Sequence, residues 1–418
     1  MSLTTMYGVT LTVEAALSAA TGSYGAWGTG LWNTATWGPD EVFQDISAYV
    51  RSVSTTRGFE RNVQAWQAGT ATLELLNFDG RFSPSNLTGP YVTAGVTGVR
   101  PWRPIRIRAA YNGVTYDVYR GYALAWQETY AEAFPGGGGA YVTVPCVDEL
   151  GALARFDGLA QLAVGAGETS GVRMHRVLDN AGHSGTRSID PGNVTVQATT
   201  LAQNAVTELK LTADSEGGAL YIGKDGAVVF ERNYALIENA RSNTIQATFG
   251  DGAGELPYSD VALTYDGDLM ANIAAFARVG GTAQTSTNET SRALYRDKRY
   301  SRSDLICQTD LQVANLADFY VQAYGQPEQR ITTIEVKPRN SPALLFPQVL
   351  GREVRDLIRA VRRPPGGYTI TRDCHIAGIS HQISKDDWVT SFDLWSASVY
   401  QGVGRWDVAT WDTSTWFY

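Results

Sequence analysis

Only four histidines and three cysteines occur in the 418 residues, and charged side chains make up 18% of them. Cys146, Cys307 and Cys374 are odd in number, far apart and without any CxxC spacing. A disulfide framework needs pairs and a zinc site needs clustered ligands, so these three read as buried thiols of a protein made in a reducing compartment. His175, His183, His375 and His381 have no cysteine or carboxylate cluster at ligand spacing. His375 and His381 are six apart, an even step that sets both on one face of a strand. Cys374 beside His375 would point to the opposite face, which argues against a thiol–imidazole site. No HExxH, G-x-S-x-G or P-loop is present. The glycines at 136–139 lack the Lys-Ser/Thr and helix start of a phosphate cradle. NFDGR and GKDGA lack the full acidic pattern of a calcium loop. No catalytic constellation, metal site or cofactor site emerges, although a carboxylate pair of the glycosidase kind needs no sequence signature.

Two further absences bear on location and partners. There is no 18-residue apolar run and no N-terminal signal pattern. The expectation is a soluble protein synthesised in the cytoplasm. Positive charge is also short: 34 Lys and Arg stand against 42 Asp and Glu, a net charge of −8. General nucleic-acid binding rests on phosphate neutralisation, so no stable nucleic-acid complex is expected. An acidic balance still suits a wall past which nucleic acid slides.

What is abundant is aromatic and turn-forming: 11% aromatic residues, 43 glycines and 15 prolines. That composition predicts a mainly β chain with α+β insertions. Over 41–156 the pattern alternates. RPIRIRAAY sets Ile105 and Ile107 against Arg106 and Arg108, a half-exposed strand with one basic face. Asn112-Gly113 predicts a hairpin, and Asn77, Asp79 and Gly80 a turn. A short helix should close this region near Asp148. Region 157–256 reads as mixed α/β, with helices over 173–182 and 204–215 and a hairpin through Lys224-Asp225-Gly226. Region 257–400 returns to strands, including the stretch 349–361. Its one packed helix is expected to be capped by Asp310, to run to Tyr324 and to bury Leu316, Phe319 and Tyr320. Residues 1–40 and 401–418 form Trp-rich terminal segments.

Those segments share a pattern. Trp27, Trp32 and Trp37 recur at a spacing of five, and so do Trp406, Trp411 and Trp416. Five residues advance a helix by about 500°, and an odd step in a strand alternates faces, so neither element aligns the indoles. Short turns presenting large rings fit better, and such rings meet a core, a neighbouring subunit or a sugar. A second cluster, Arg352, Arg355, Arg359, Arg362 and Arg363, falls within twelve residues of an otherwise acidic chain. In a helix, Arg352, Arg355, Arg359 and Arg363 would share a face; in strands they would be split. A solvated face, an ion-pair seam between subunits and a positive stripe toward nucleic acid all remain open.

DISAYVRSVSTTRGFERNVQAWQAGTATLELLNFDGRFSPSN, then GPY, VRPWRPIRIRA and RGYALAW, resemble the minor tail proteins of long-tailed phages of actinobacteria. So do VLDNAG, SIDPGNVTVQATTLAQNAV, ADSEGGALYIGKDGAVVF, SRSDLICQTDLQVANLADFYVQAYGQP and ISHQISKDDWVTSFDLW, in order over about residues 24–400. The resemblance implies a structural virion protein of the tail tip, similar to a baseplate hub. It implies two tail-tube-like β-barrel domains per chain and a homotrimer that continues a hexameric tube. Implied partners are the distal tail or tail-tube protein, the tape-measure protein, other minor tail or fibre proteins, and the host surface. No catalytic residues carry over from such hubs; a hydrolytic domain, fused in some relatives, is expected elsewhere. A receptor- or carbohydrate-binding tail protein is the alternative reading, and a cell-wall hydrolase a weaker one.

Overall fold

The computed structural model describes residues 5–17, 42–60, 65–93, 95–131, 139–155, 163–201, 203–265 and 267–400. The expected N-terminal segment supplies β1 (Val9–Ala15), which joins the sheet of the first β region, and that region supplies β2 (Val50–Glu60), β3 (Ala65–Leu76), β4 (Pro104–Tyr111), β5 (Val114–Ala123) and β6 (Gly139–Val147). Alternation in β4 works as expected. Ile105, Ile107, Ala109 and Tyr111 are buried, while Arg106 and Arg108 turn outward and clasp Glu14 of β1 at 2.6 and 2.7 Å. Hydrogen bonding from Arg106 leads the effects that hold the Glu14 carboxyl below its ordinary range. Asn112 and Gly113 join β4 to β5 with φ of 49° and 79°. Positive φ at both turn residues matches the right-handed strand twist, which is why Asn-Gly works here. Asp148 caps the short helix Glu149–Leu153 by accepting from Leu150 and Gly151, and also takes the Gly69 N–H at 2.5 Å.

The middle region contains α1 (Ser170–Asn180), α2 (Ala205–Glu216), β7 (Ala219–Ile222) and β8 (Val228–Glu231). Both helices begin at a side-chain cap, Thr169 on Val172 N–H and Asn204 on Thr207 N–H. A local core of Met174, Val177, Leu178, Leu209, Leu220 and Phe230 holds them on the strand pair.

Thereafter come β9 (Asp260–Tyr265), β10 (Ile273–Arg278), β11 (Arg299–Leu305), α3 (Asp310–Tyr324), β12 (Gln329–Val336), α4 (Pro342–Gly351), β13 (Leu357–Arg362), β14 (Ile370–Ser384) and β15 (Trp388–Ser396). Three expectations change here. Thr309, not Asp310, caps α3, because the Thr309 and Gln312 side chains satisfy each other's backbone N–H groups in a capping box. The buried stripe of α3 is Val313, Ala317 and Val321, whereas Leu316, Phe319 and Tyr320 are half-buried. The small residues let α3 lie close on Phe276, Leu305 and Cys307, and the aromatic stripe is left facing a cleft. The 349–361 stretch is also only partly strand: Pro342 opens α4, which runs to Gly351 before β13 begins.

The two β regions are joined. In the main sheet the order runs β1-β4-β5-β6-β3-β2-β14-β15-β12-β9, within a total of 15 strands. The join is the antiparallel pairing of β2 with β14, from Gly58↔Gly378 to Ser52↔Ser384. Mainly β architecture therefore holds, but the strands close no barrel among the described residues, because the strands at the two ends of this order are not paired. One edge of β14 is taken by β15, and the other is shared by β2 at 378–384 and β13 at 370–375, so the second β region grows outward from the join.

Register shifts flank the join on both sides, at Thr56/Gly58 in the β2–β3 pair and at Ile376/Gly378 in the β14–β15 pair. Gly58 has φ of +109°, and a Cβ there would stand 2.4 Å from the Ala377 carbonyl oxygen. Gly58→Ala is therefore expected to cost about 2 kcal/mol or more through strain and overpacking. Urea unfolding of the two proteins measures this, and an unchanged midpoint would mean that the join tolerates a side chain.

Candidate functional site

A cleft of about 300 Å³ opens where the middle region, α3 with its small sheet, and the main sheet converge. One wall is an aromatic trio from three strands of the main sheet: Phe59 lies 4.5 Å from Trp395 and 5.5 Å from Trp66, and the indoles are 5.6 Å apart. A second group comes from β11 and α3, where Tyr300 stacks on Tyr320 at 4.7 Å and Tyr320 lies 4.7 Å from Tyr324. Helical spacing sets Tyr320 and Tyr324 one turn apart on the same face. Tyr400 completes the lining, 5.8 Å from Phe319 and edge-on to His375 at 5.7 Å. Burial pushes the Tyr320, Tyr324 and Tyr400 phenols above their ordinary range, so all three stay neutral at physiological pH.

Charged groups around the cleft have partners within the chain. Arg302 reaches Asp214 and Asp304, each at 2.8 Å. Glu328 accepts from the Ser396 and Ser398 hydroxyls at 2.9 and 3.1 Å. Arg355 Nε stands 2.8 Å from Glu231 Oε2, an ion-pair contact lying off the hydrogen-bond line. The cleft thus offers π-faces and apolar surface, with Arg302, Arg355 and Glu328 engaged within the chain.

The arginine cluster is split. Arg352 ends α4 and lies 3.6 Å from Asp356. Arg355 occupies a turn with φ of +70° and is only 4% exposed. Its side chain is held against Glu231 within the chain. Arg359, on β13, makes a two-pronged pair with Asp373 at 2.7 and 2.9 Å. Arg362 and Arg363 share Asp251, and Arg363 also holds Glu255 at 2.6 Å. All five arginines therefore answer acids of the same chain. The turn at 352–356 prevents the shared helical face.

Trp27, Trp32, Trp37, Trp406, Trp411 and Trp416 lie outside the described residues. The three thiols are free and buried, with Cys307 pushed up to about 11 and Cys374 to about 12 by desolvation. Among the described residues no group of three His, Cys, Asp or Glu has the geometry to hold a metal ion. No helix among them is long and apolar enough to cross a membrane. His375 donates through Nε2 to the Ser242 carbonyl at 2.8 Å, and His381 Nδ1 accepts from the Thr390 hydroxyl at 2.9 Å. Burial lowers these two imidazoles to about 4 and about 3, so both are neutral structural groups.

The cleft itself was not legible in the sequence, because its walls come from separate stretches around residues 59–66, 213–220, 300–324 and 395–400. The one available signal was on α3, whose Leu316, Phe319 and Tyr320 form an apolar stripe beside the Val313, Ala317 and Val321 stripe. A helix with two apolar stripes needs two surfaces to cover it.

A curved, mainly β sheet bearing a mixed α/β middle region defines the fold class. The same fold occurs in the tail protein from Neisseria meningitidis MC58, with a TM-score of 0.59 and 11% identity over 94% of this chain and 98% of that one. It also occurs in the 43 kDa tail protein of prophage MuSo2 from Shewanella oneidensis, with a TM-score of 0.57 and 12% identity over 93% and 97% of the two chains. No protein-family model matches the chain, and no curated protein sequence matches it.

Two expectations follow from these contacts. Arg355→Met strands the Glu231 carboxylate in a buried site and should cost about 3–5 kcal/mol. Adding Glu231→Gln should restore much of that loss in a double-mutant cycle read by urea unfolding. The second concerns pH. His375 and His381 have folded pKa values below the ordinary 6.5, so their contribution is complete above pH 6.5 and is lost as pH falls toward 4 and then 3. Asp148 has the opposite sign, because desolvation raises its carboxyl to about 7 and the fold holds a proton that the unfolded chain releases. Its contribution is complete below 3.8 and is lost as pH rises through about 7. Two protons taken up on unfolding against one released leave a net loss of about 1.4 kcal/mol per pH unit between pH 6 and 4.5 from these three groups. Asp148→Ser, which keeps a capping hydroxyl, should steepen this acid-side fall; an unchanged slope in pH-resolved melts would remove Asp148 from the account.

Proposed function

We propose that this chain is a structural protein of a phage tail, placed at the tail tip as a baseplate hub. The observation that carries this reading is end-to-end likeness: two tail proteins share the fold over 93–94% of this chain and 97–98% of their own. A fold match confined to one region would support only a shared module. The ordered resemblance to minor tail proteins over residues 24–400 supports the finer placement.

In this role the chain divides into tube-like β regions at 41–156 and 257–400, a middle region at 157–256, and Trp-rich ends. Two tube-like regions in each chain let three chains present six units to a hexameric tube, and closed cyclic symmetry makes such a ring finite. The ring closes the tube, seats the end of the tape-measure protein and docks fibres or other tip proteins. Its action is mechanical: it holds a channel narrow until receptor engagement opens it. No catalytic step is assigned to it. A net charge of −8 supports a lumen that lets DNA pass without holding it. Arg359, with 40% of its side chain exposed, could exchange its Asp373 partner for an acid of a neighbouring subunit.

The six evenly spaced tryptophans favour a second reading, contact with a receptor or surface glycan through stacked indoles. Mass measurement of purified tail tips should give three copies of this chain, and six copies would sink the ring arrangement. Phages carrying Trp27→Ala or Trp411→Ala separate the two readings. Loss of assembled tips marks an assembly role, whereas normal particles that no longer adsorb mark receptor contact.

A further inference from the structure

We propose that the aromatic cleft is the docking site for this chain's own segment 401–418, with the indole of Trp406 seated between the Tyr320–Tyr324 face and the Trp66–Trp395 pair. The cleft has the size and lining of a binding site, about 300 Å³ faced by rings from three parts of the fold. Several of its charges are paired within the chain, so its natural occupant is aromatic and apolar, with a weaker charge preference. That preference is for acid, because Lys210, Arg302, Arg330 and Arg355 line the cleft against Asp214 and Glu328.

Segment 401–418 has this chemistry. It carries three tryptophans, and its Asp407 and Asp412 outnumber Arg405. Position singles it out from the other Trp-rich segment. The described chain stops at Tyr400, which is itself part of the cleft lining. Trp406 follows six residues later. At about 3.3–3.6 Å per residue it lies within about 22 Å of Tyr400. The other segment is flanked by Leu17 and Val42, neither of which lines the cleft. Offset or edge-to-face packing on several rings would add to the apolar burial of a seated indole, and the indole N–H has the Glu328 carboxylate among the nearby acceptors.

The test uses the full chain. Trypsin cuts after Arg405, within the segment, and cleavage tracks the released population when docking is in rapid exchange. Trp406→Ala, and separately Phe319→Ala, should speed that cut by about tenfold, while Trp27→Ala should leave it unchanged. Trp406→Ala lies outside the described fold, so it remains informative if Phe319→Ala disturbs folding, which far-UV circular dichroism would reveal. Equal cleavage rates in wild type and Trp406→Ala would overturn the proposal. A photoreactive benzoylphenylalanine at position 406 should cross-link within one chain to residues 300–324. Cross-links only between chains, indicating a second copy's segment, or none to this cleft, would likewise overturn it.

Discussion

The pairing of β2 with β14 is the interaction on which the rest of the architecture depends. It joins strands more than 300 residues apart in sequence and converts two β regions into one continuous sheet. Backbone hydrogen bonds must be satisfied in a buried sheet, so once this edge is used neither region can close upon itself through it. Close approach at the join requires a residue without a side chain at Gly58, where two register shifts meet. The bulges bend the sheet there and set how the second β region leaves the first.

Buried charges then orient the middle region against this sheet. Arg57 reaches Glu353 at 2.8 Å and the Ile222 carbonyl at 3.2 Å, so one β2 side chain touches both the middle region and the turn after α4. Lys224 donates to the Leu350 carbonyl at 3.0 Å, and Arg355 meets Glu231. Such pairs contribute little net stability over well-packed apolar residues, because desolvation offsets much of their attraction. Their directional geometry is what matters here: a slipped arrangement leaves a buried ion alone. Holding three units at a fixed angle is also what leaves the aromatic surfaces of the main sheet and α3 facing one another across the cleft.

Local features were legible in the sequence. The Ile105–Ile107 alternation, the Asn112-Gly113 turn and the Gly182 stop each depend on a few neighbouring residues. Where several local solutions compete, sequence pattern alone does not select one. Thr309 and Asp310 both suit a cap, and only the reciprocal bond with Gln312 selects Thr309. Both apolar stripes of α3 suit a core, and only the placement of Phe276, Leu305 and Cys307 decides which is covered. The arginines gave no hint of their partners, since Asp251 and Glu255 lie more than 100 residues from Arg363. Identity of 11–12% with the two tail proteins has the same cause: alternation, turns and apolar volume preserve a sheet while most individual side chains change.

By itself the sequence determined a mainly β chain with an α/β middle, because strand alternation, glycine turns and side-chain caps act over fewer than about ten residues. Tertiary structure alone decided that both β regions form one sheet, that Arg355 is an internal counter-ion to Glu231, and that side chains from four distant stretches line a common cleft. Those outcomes depend on which edges and faces meet across hundreds of residues, and no local pattern encodes the choice of partner.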